Sequence, residues 1–145
     1  MSAAVVEPVF DHGAAERARL VNAVRANLLR SGGAVTVDML AEATGRSPEA
    51  ARQWLRRHRL AGRIVTVTHD GNVLVPTFQL DDAFMLDEPA ADIVARFVGH
   101  DMSPWAVWDW FATPNTWLDN ITPIAALAVG QITAVRRAAA GLFQE

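Results

Sequence analysis

The chain contains no cysteine and no lysine. Without cysteine there is no disulfide scaffold, no thiolate metal site and no cysteine nucleophile, and the composition fits a reducing cytoplasm. Without lysine, arginine carries all the strong positive charge. A bias toward Ala, Val and Arg more often reflects a GC-rich coding sequence than a function, so the missing lysine has no mechanistic weight. No run of about 18 apolar residues occurs, so neither a membrane span nor a membrane partner is expected. The start, Met1 to Pro8, has no basic opening and no long apolar stretch, and does not read as a signal peptide. His12, His58, His69 and His100 are scattered, without the His-x-x-x-His spacing of a metal site. His100-Asp101 reads as a surface turn. Neither a phosphate-cradling glycine loop nor Gly-x-Ser-x-Gly is present. The expectation is a protein with no catalytic residue, no metal and no cofactor, and so not an enzyme.

What remains is a globular composition, 51% apolar and 20% charged over 145 residues. That length suits one ordinary domain or two small ones and buries roughly 68–70% of its extended surface. Charge is distributed unevenly. Residues 1–80 hold ten arginines against seven acids, a balance of +3. Residues 81–145 hold three arginines against nine acids, a balance of −6. A basic front and an acidic back suggest two surfaces with two kinds of partner.

After a loose start, Ala14 to Arg30 reads as an amphipathic helix, with Leu20, Val21, Val24 and Leu28 at the helical period. Ser31-Gly32-Gly33 ends it. Thr36 can cap a short helix from Val37 to Thr44. Gly45 suits a tight turn, and Ser47-Pro48 opens a second helix running to Leu60. That helix carries Arg52, Arg56, Arg57 and Arg59 within eight positions, while Ala51, Trp54 and Leu55 stay apolar. The spacing resembles the helix-turn-helix pattern, with Ala51 where a larger aliphatic residue is usual. Arg63 to Thr68 alternates as a strand. Asp70-Gly71 signals a hairpin turn, and Val73 to Val75 returns as a wing that Pro76 ends.

On such a helix the N-terminal half reaches base edges and later residues meet phosphates. Arg52 and Gln53 are the candidates for bases, helped by Ser47 and Glu49, since Arg suits guanine and Gln suits adenine. Arg46, Arg56 and Arg57 are the phosphate candidates, with Arg63 and His69 adding from the wing. The plainer reading is a solvated arginine face paired with Glu49 or Glu42.

From Asp81 the chain turns acidic and helical. Helices are expected at Ala90 to Val98, Trp105 to Ala112 behind Ser103-Pro104, Ile124 to Val129 behind Thr122-Pro123, and Gln131 to Phe143. A turn is expected at Thr113-Pro114-Asn115. Trp105 and Trp110 read as core, and Trp117, on a turn, as an interface residue. A stacking platform for single strands is disfavoured by the acidic charge.

Two segments carry a family resemblance. One is Val75-Pro76-Thr77-Phe78-Gln79 followed by Ser103-Pro104-Trp105-Ala106-Val107-Trp108-Asp109-Trp110-Phe111. The other is Thr113-Pro114-Asn115-Thr116-Trp117-Leu118-Asp119-Asn120-Ile121-Thr122-Pro123-Ile124, leading to Leu127 and Gly130. Over about residues 36–143 the chain resembles antitoxins of the Xre/MbcA/ParS type, encoded beside RES-domain toxins. It departs from that pattern at Asn120, where Gly is usual, and at Ile121, where a polar or basic residue is usual. The resemblance, together with the residue pattern of the first 35 positions, implies a mainly α protein in three parts. Residues 1–35 would form an N-terminal helical segment and residues 36–80 a winged helix-turn-helix with a small β-hairpin. Residues 81–145 would form a C-terminal helical toxin-binding domain. It further implies a homodimer or higher oligomer that binds its own promoter as double-stranded DNA. The C-terminal helices would block the NAD-consuming cleft of a RES-domain toxin. Asn115, Trp117, Leu118, Asn120, Arg136, Arg137, Leu142 and Phe143 are the toxin-binding candidates on that basis. The alternative is a stand-alone transcriptional regulator whose C-terminal domain dimerises or senses a ligand. For the last helix, the plainer expectation is that it folds back on its own domain.

Overall fold

Ser47-Pro48, Ser103-Pro104 and Thr122-Pro123 each start a helix, whereas Thr113-Pro114 follows the end of one. The Ser47 hydroxyl accepts from the Ala50 amide at 3.1 Å, Ser103 from Ala106 at 3.2 Å, and Thr122 from Ala125 at 3.0 Å. Asp87 does the same for Ala90 at 3.1 Å and Thr36 for Met39 at 3.2 Å. In each case one otherwise orphaned helical donor is satisfied, a contribution of about 0.5–2 kcal/mol. These caps divide the chain in a computed structural model that describes residues 2–31 and 33–144, with side-chain surroundings from Gly13 onward.

The helices are α1 (Ser2–Ser31), α2 (Val37–Thr44), α3 (Pro48–Leu60), α4 (Glu88–Gly99), α5 (Pro104–Ala112), α6 (Pro123–Ala128) and α7 (Ile132–Leu142). The strands are β1 (Ala34–Thr36), β2 (Val67–His69) and β3 (Asn72–Pro76), and short 3-10 turns span Thr77–Gln79 and Thr116–Leu118. The protein is thus mainly helical, with a small antiparallel sheet in the order β1-β3-β2. No helix among the described residues is long and apolar enough to cross a membrane.

Several boundaries differ from expectation. α1 begins at Ser2, so the weak helix formers Pro8 and Gly13 interrupt the pattern without ending it. β1 was not anticipated; its three residues are too few to show an alternation, and its register is set by β3, with Val35 opposite Val75. Pro76 does not stand outside the ladder. It is the last residue of β3, opposite Ala34. The hairpin turn is as expected, with Asp70 at φ 50° and Gly71 at φ 77°, the paired left-handed geometry of a tight two-residue hairpin.

The expected strand over 63–68 is mostly absent, and the reason is burial. Ile64 and Val65 are both buried, so the alternation in sequence does not become alternation in space. Ile64 packs with Leu40, Trp54, Leu55 and Val75. Val65 packs with Phe97, Phe111 and the α7 residues Val135 and Ala139. Val67 packs with Leu28 and Trp108. Three consecutive apolar clusters therefore meet on four residues, and the packing runs across the boundaries expected at 35/36 and 80/81.

A buried backbone away from any strand partner still needs hydrogen bonds. Gln79, fully buried, supplies them. Its Oε1 accepts from the Val65 amide at 2.7 Å, and its Nε2 donates to the Val65 carbonyl at 2.9 Å and to the Pro76 carbonyl at 3.1 Å. Gln79→Ala should leave the Val65 amide and carbonyl buried without partners. The expected loss is about 2–4 kcal/mol in urea denaturation. A change too small to resolve would contradict this role.

Candidate functional site

α2 and α3 are joined by Gly45, Arg46 and Ser47. Gly45 sits at φ 71° with open space around it, and its amide reaches back to Glu42. Leu40 and Ala41 of α2 face Ala51, Trp54 and Leu55 of α3, all buried. Ala51 has no exposure, and its small side chain fits the close approach of the two helices.

With this face buried, the other side of α3 meets solvent. Arg52, Arg56 and Arg59 lie at i, i+4 and i+7, one stripe of a helix. They rim a cleft of about 550 Å³ whose apolar lining is Val37, Leu55, Leu60 and the hairpin residue Val73. Arg57 is exposed on the opposite edge of the same face. Glu49 holds the two base-reading candidates: its carboxylate pairs with Arg52 at 3.3 Å and accepts from Gln53 at 3.4 Å. Both partners of the ion pair are exposed, so it is worth roughly 0–1 kcal/mol and is easily exchanged for a stronger acceptor. Among the described residues, Arg56, Arg57 and Arg59 have no carboxylate partner. Sequence reasoning left Arg59 and the cleft floor out of the site. The i+7 spacing from Arg52 was the available signal.

Two expected phosphate contacts are committed elsewhere. Arg63 bonds Glu88 at 3.1 Å and Asp92 at 3.2 Å, both on α4, and these hydrogen bonds raise its pKa. It ties the segment after α3 to the C-terminal half. Arg46 folds over the Trp54 ring at 5.1 Å, and its Nη2 donates to the Met85 sulfur at 3.5 Å. Neither points outward with the α3 stripe, because each has an acceptor or a ring nearer than solvent. Ser47 is occupied as the helix cap. On the hairpin, exposed His69 sits 3.2 Å from Asp70.

The C-terminal candidates separate likewise. Trp117 is 63% exposed and lies across Gly141, where an added Cβ would come within 2.7 Å of the indole. The Asn115 side chain accepts from the Trp117 amide at 2.9 Å and so shapes the turn. Asn120 takes φ 65°, the left-handed geometry that asparagine tolerates in place of glycine. Leu118 is buried and is not a surface residue. Arg136 pairs with Asp92 at 3.4 Å, while Arg137 and Leu142 are exposed. Phe143 stacks on His100 at 3.8 Å and packs edge-on to Phe97 at 5.6 Å. α7 thus packs against α4, α6 and the Thr116–Leu118 turn, burying Val135, Ala138 and Ala139. Trp108 has no exposure; half-buried Trp105 stacks on it at 5.7 Å, and half-buried Trp110 packs edge-on to Phe97 and Phe111.

No family model matches the chain, and no curated protein does. In fold it is similar to the NMR structure of Rv2175c, with TM-score 0.61 and 22% identity over 76% of this chain and 81% of that one. The likeness extends over most of both chains and concerns the fold.

His58 reports on this surface. Its ring is tilted against Trp54 at 4.6 Å, and burial lowers its pKa, helped by Arg57, Arg63 and Arg46 and opposed by Glu88. Below about pH 6.5 the unfolded chain takes up a proton that folded His58 resists. Stability should therefore fall as pH drops from about 6.5 through the lower folded value. His58→Gln should flatten that slope in thermal melts between pH 7.5 and roughly pH 5.5, a window above the carboxylate range. An unchanged slope would show that another group is responsible.

Proposed function

We propose that the protein binds double-stranded DNA and acts as a helix-turn-helix regulator of transcription. In this reading α2, the Gly45 turn and α3 form the helix-turn-helix. The β2–β3 hairpin is the wing, and the C-terminal helices are the base that holds them. The observation that carries it is the solvent face of α3. A helix of 13 residues buries its apolar side and offers Arg52, Gln53, Arg56, Arg57 and Arg59 together. A helix of that width fits a major groove about 12 Å wide. Arg52 and Gln53, released from Glu49, would read bases, and Arg56, Arg57 and Arg59 would neutralise phosphates. The acidic C-terminal half keeps the duplex to this side. For three phosphates per subunit, the log–log salt slope of DNA affinity should be about −2.7, and Arg56→Ala or Arg57→Ala should each remove about 0.9 of it. Slopes unaffected by both substitutions would refute the reading.

A second reading, the antitoxin, is favoured by one observation: exposed Trp117, beside Gly141 and Leu142, presents an aromatic anchor on the acidic half. Because α7 is seated on its own domain, it would meet a RES-domain toxin as a side-on surface and not as a detached plug. Trp117→Ala should then abolish protection against a co-expressed toxin while leaving DNA affinity intact. Retained protection would count against this surface.

A further inference from the structure

We propose that the cleft beside α3 binds a small amphiphilic anion, a carboxylate carried on a hydrocarbon chain. The site itself does not depend on DNA binding. Three elements build it. α3 supplies Leu55 and Leu60 with Arg52, Arg56 and Arg59, the start of α2 supplies Val37, and the β2–β3 hairpin supplies Val73. Its volume of about 550 Å³ falls in the range of small-ligand clefts, roughly 300–1,000 Å³. The apolar lining is left uncovered by the chain, since Leu60 is 79% exposed and Val73 37%. A duplex that meets the arginines through its hydrated phosphates gives no account of these groups, because they gain only from leaving water.

Charge selects the head group. Arg56 and Arg59 are three residues apart and so are neighbours on one helical face. Among the described residues neither joins an ion pair, and Arg52 pairs only with exposed Glu49. Among the described residues, no carboxylate side chain lines the cleft. A bound carboxylate takes charge-assisted hydrogen bonds from Arg56 and Arg59, and its chain covers Leu55, Leu60, Val37 and Val73. The groove between α1 and α5 is the contrast. Leu20, Val21, Val24 and Trp105 make it apolar, but Asp109 stands in its lining, and Arg25 lies over the Trp105 ring at 5.1 Å. An anion there meets a like charge and an arginine already engaged. Arg56 and Arg59 cannot hold a head group and a phosphate backbone together. Under the DNA-binding reading, and resting on it, the ligand therefore releases DNA.

The labelled full-length protein is titrated with octanoate, below its micellar concentration and without DNA, and followed by NMR. Saturable shift changes should centre on Val37, residues 52–60 and Val73, and leave the α1–α5 groove unmoved. Butanoate should bind roughly tenfold more weakly, for want of methylene contacts. Octanol, which lacks the charge, should give no saturable change at matched concentration. Arg56→Ala combined with Arg59→Ala should weaken octanoate roughly tenfold. Leu60→Ser, which keeps the arginines and alters an exposed side chain, should weaken it by a similar factor with the melting temperature unchanged. Shifts centred on the α1–α5 groove, equal affinity for butanoate and octanoate, or an affinity that both variants leave unmoved would overturn the site. In a second arm, octanoate should displace a duplex bound at low salt, and acetate at the same concentration should not. A duplex that stays bound at saturating octanoate would overturn the shared use of the arginines. Failure of any duplex to bind would instead count against DNA binding and leave the site standing on the first arm.

Discussion

The side-chain amide of Gln79 holds this molecule together at its joint. Just before β2, Ile64 and Val65 enter two different apolar clusters, and so the segment Ile64 to Thr66 does not run as a regular strand with a neighbour to pair it. Its backbone would be an unpaired polar ribbon in the core. Gln79 imitates a strand edge, giving and receiving one bond each at Val65 and adding a third to Pro76. The next residue back, Phe78, stacks on Phe111 of α5 at 4.2 Å. One short turn therefore fastens the sheet and α3 to the C-terminal helices. The orientation of the arginine face relative to the acidic half follows from that joint.

Around it the arginines divide into two groups by the strength of their local partners. Arg63 and Arg46 are drawn inward, one by two carboxylates of α4 and the other by an indole ring. The stripe on α3 has no comparable competitor. Its single surface pair, Arg52 with Glu49, is worth roughly 0–1 kcal/mol, against about 3–5 kcal/mol for truncating a core aromatic such as Phe97. Ion pairing along the α3 stripe therefore contributes little to holding the fold. It leaves a cationic surface free for an anionic partner.

Much of this was legible in the residues. The hydroxyl caps at Thr36, Ser47, Ser103 and Thr122 were, because a hydroxyl placed just before a helix has one local use, whereas the Asp87 cap was not. The buried side of α3 and its arginine side follow from period alone. The Asp70-Gly71 turn was legible from its demand for two positive φ values. What could not be read are the features fixed by distant contacts. The alternation at 63–68 mimicked a strand, but both Ile64 and Val65 are buried by partners on other elements, Val65 by residues of α4, α5 and α7. Arg46 and Arg63 looked like free cations until Trp54, Glu88 and Asp92 were placed beside them. Leu118 and Phe143 looked available on a turn and at a helix end, and both belong to the core side. Such residues are assigned by tertiary neighbours, which local pattern does not encode.

The measurement that tests the central claim most directly is a backbone NMR titration of the labelled full-length protein with a short random-sequence duplex at low salt. Phosphate-driven binding needs no operator, so the operator sequence need not be known. The account predicts chemical-shift changes concentrated on residues 47–60 and the hairpin at 67–76, fading as salt is raised. Shifts centred on α5 to α7, or none at all at low salt, would contradict it.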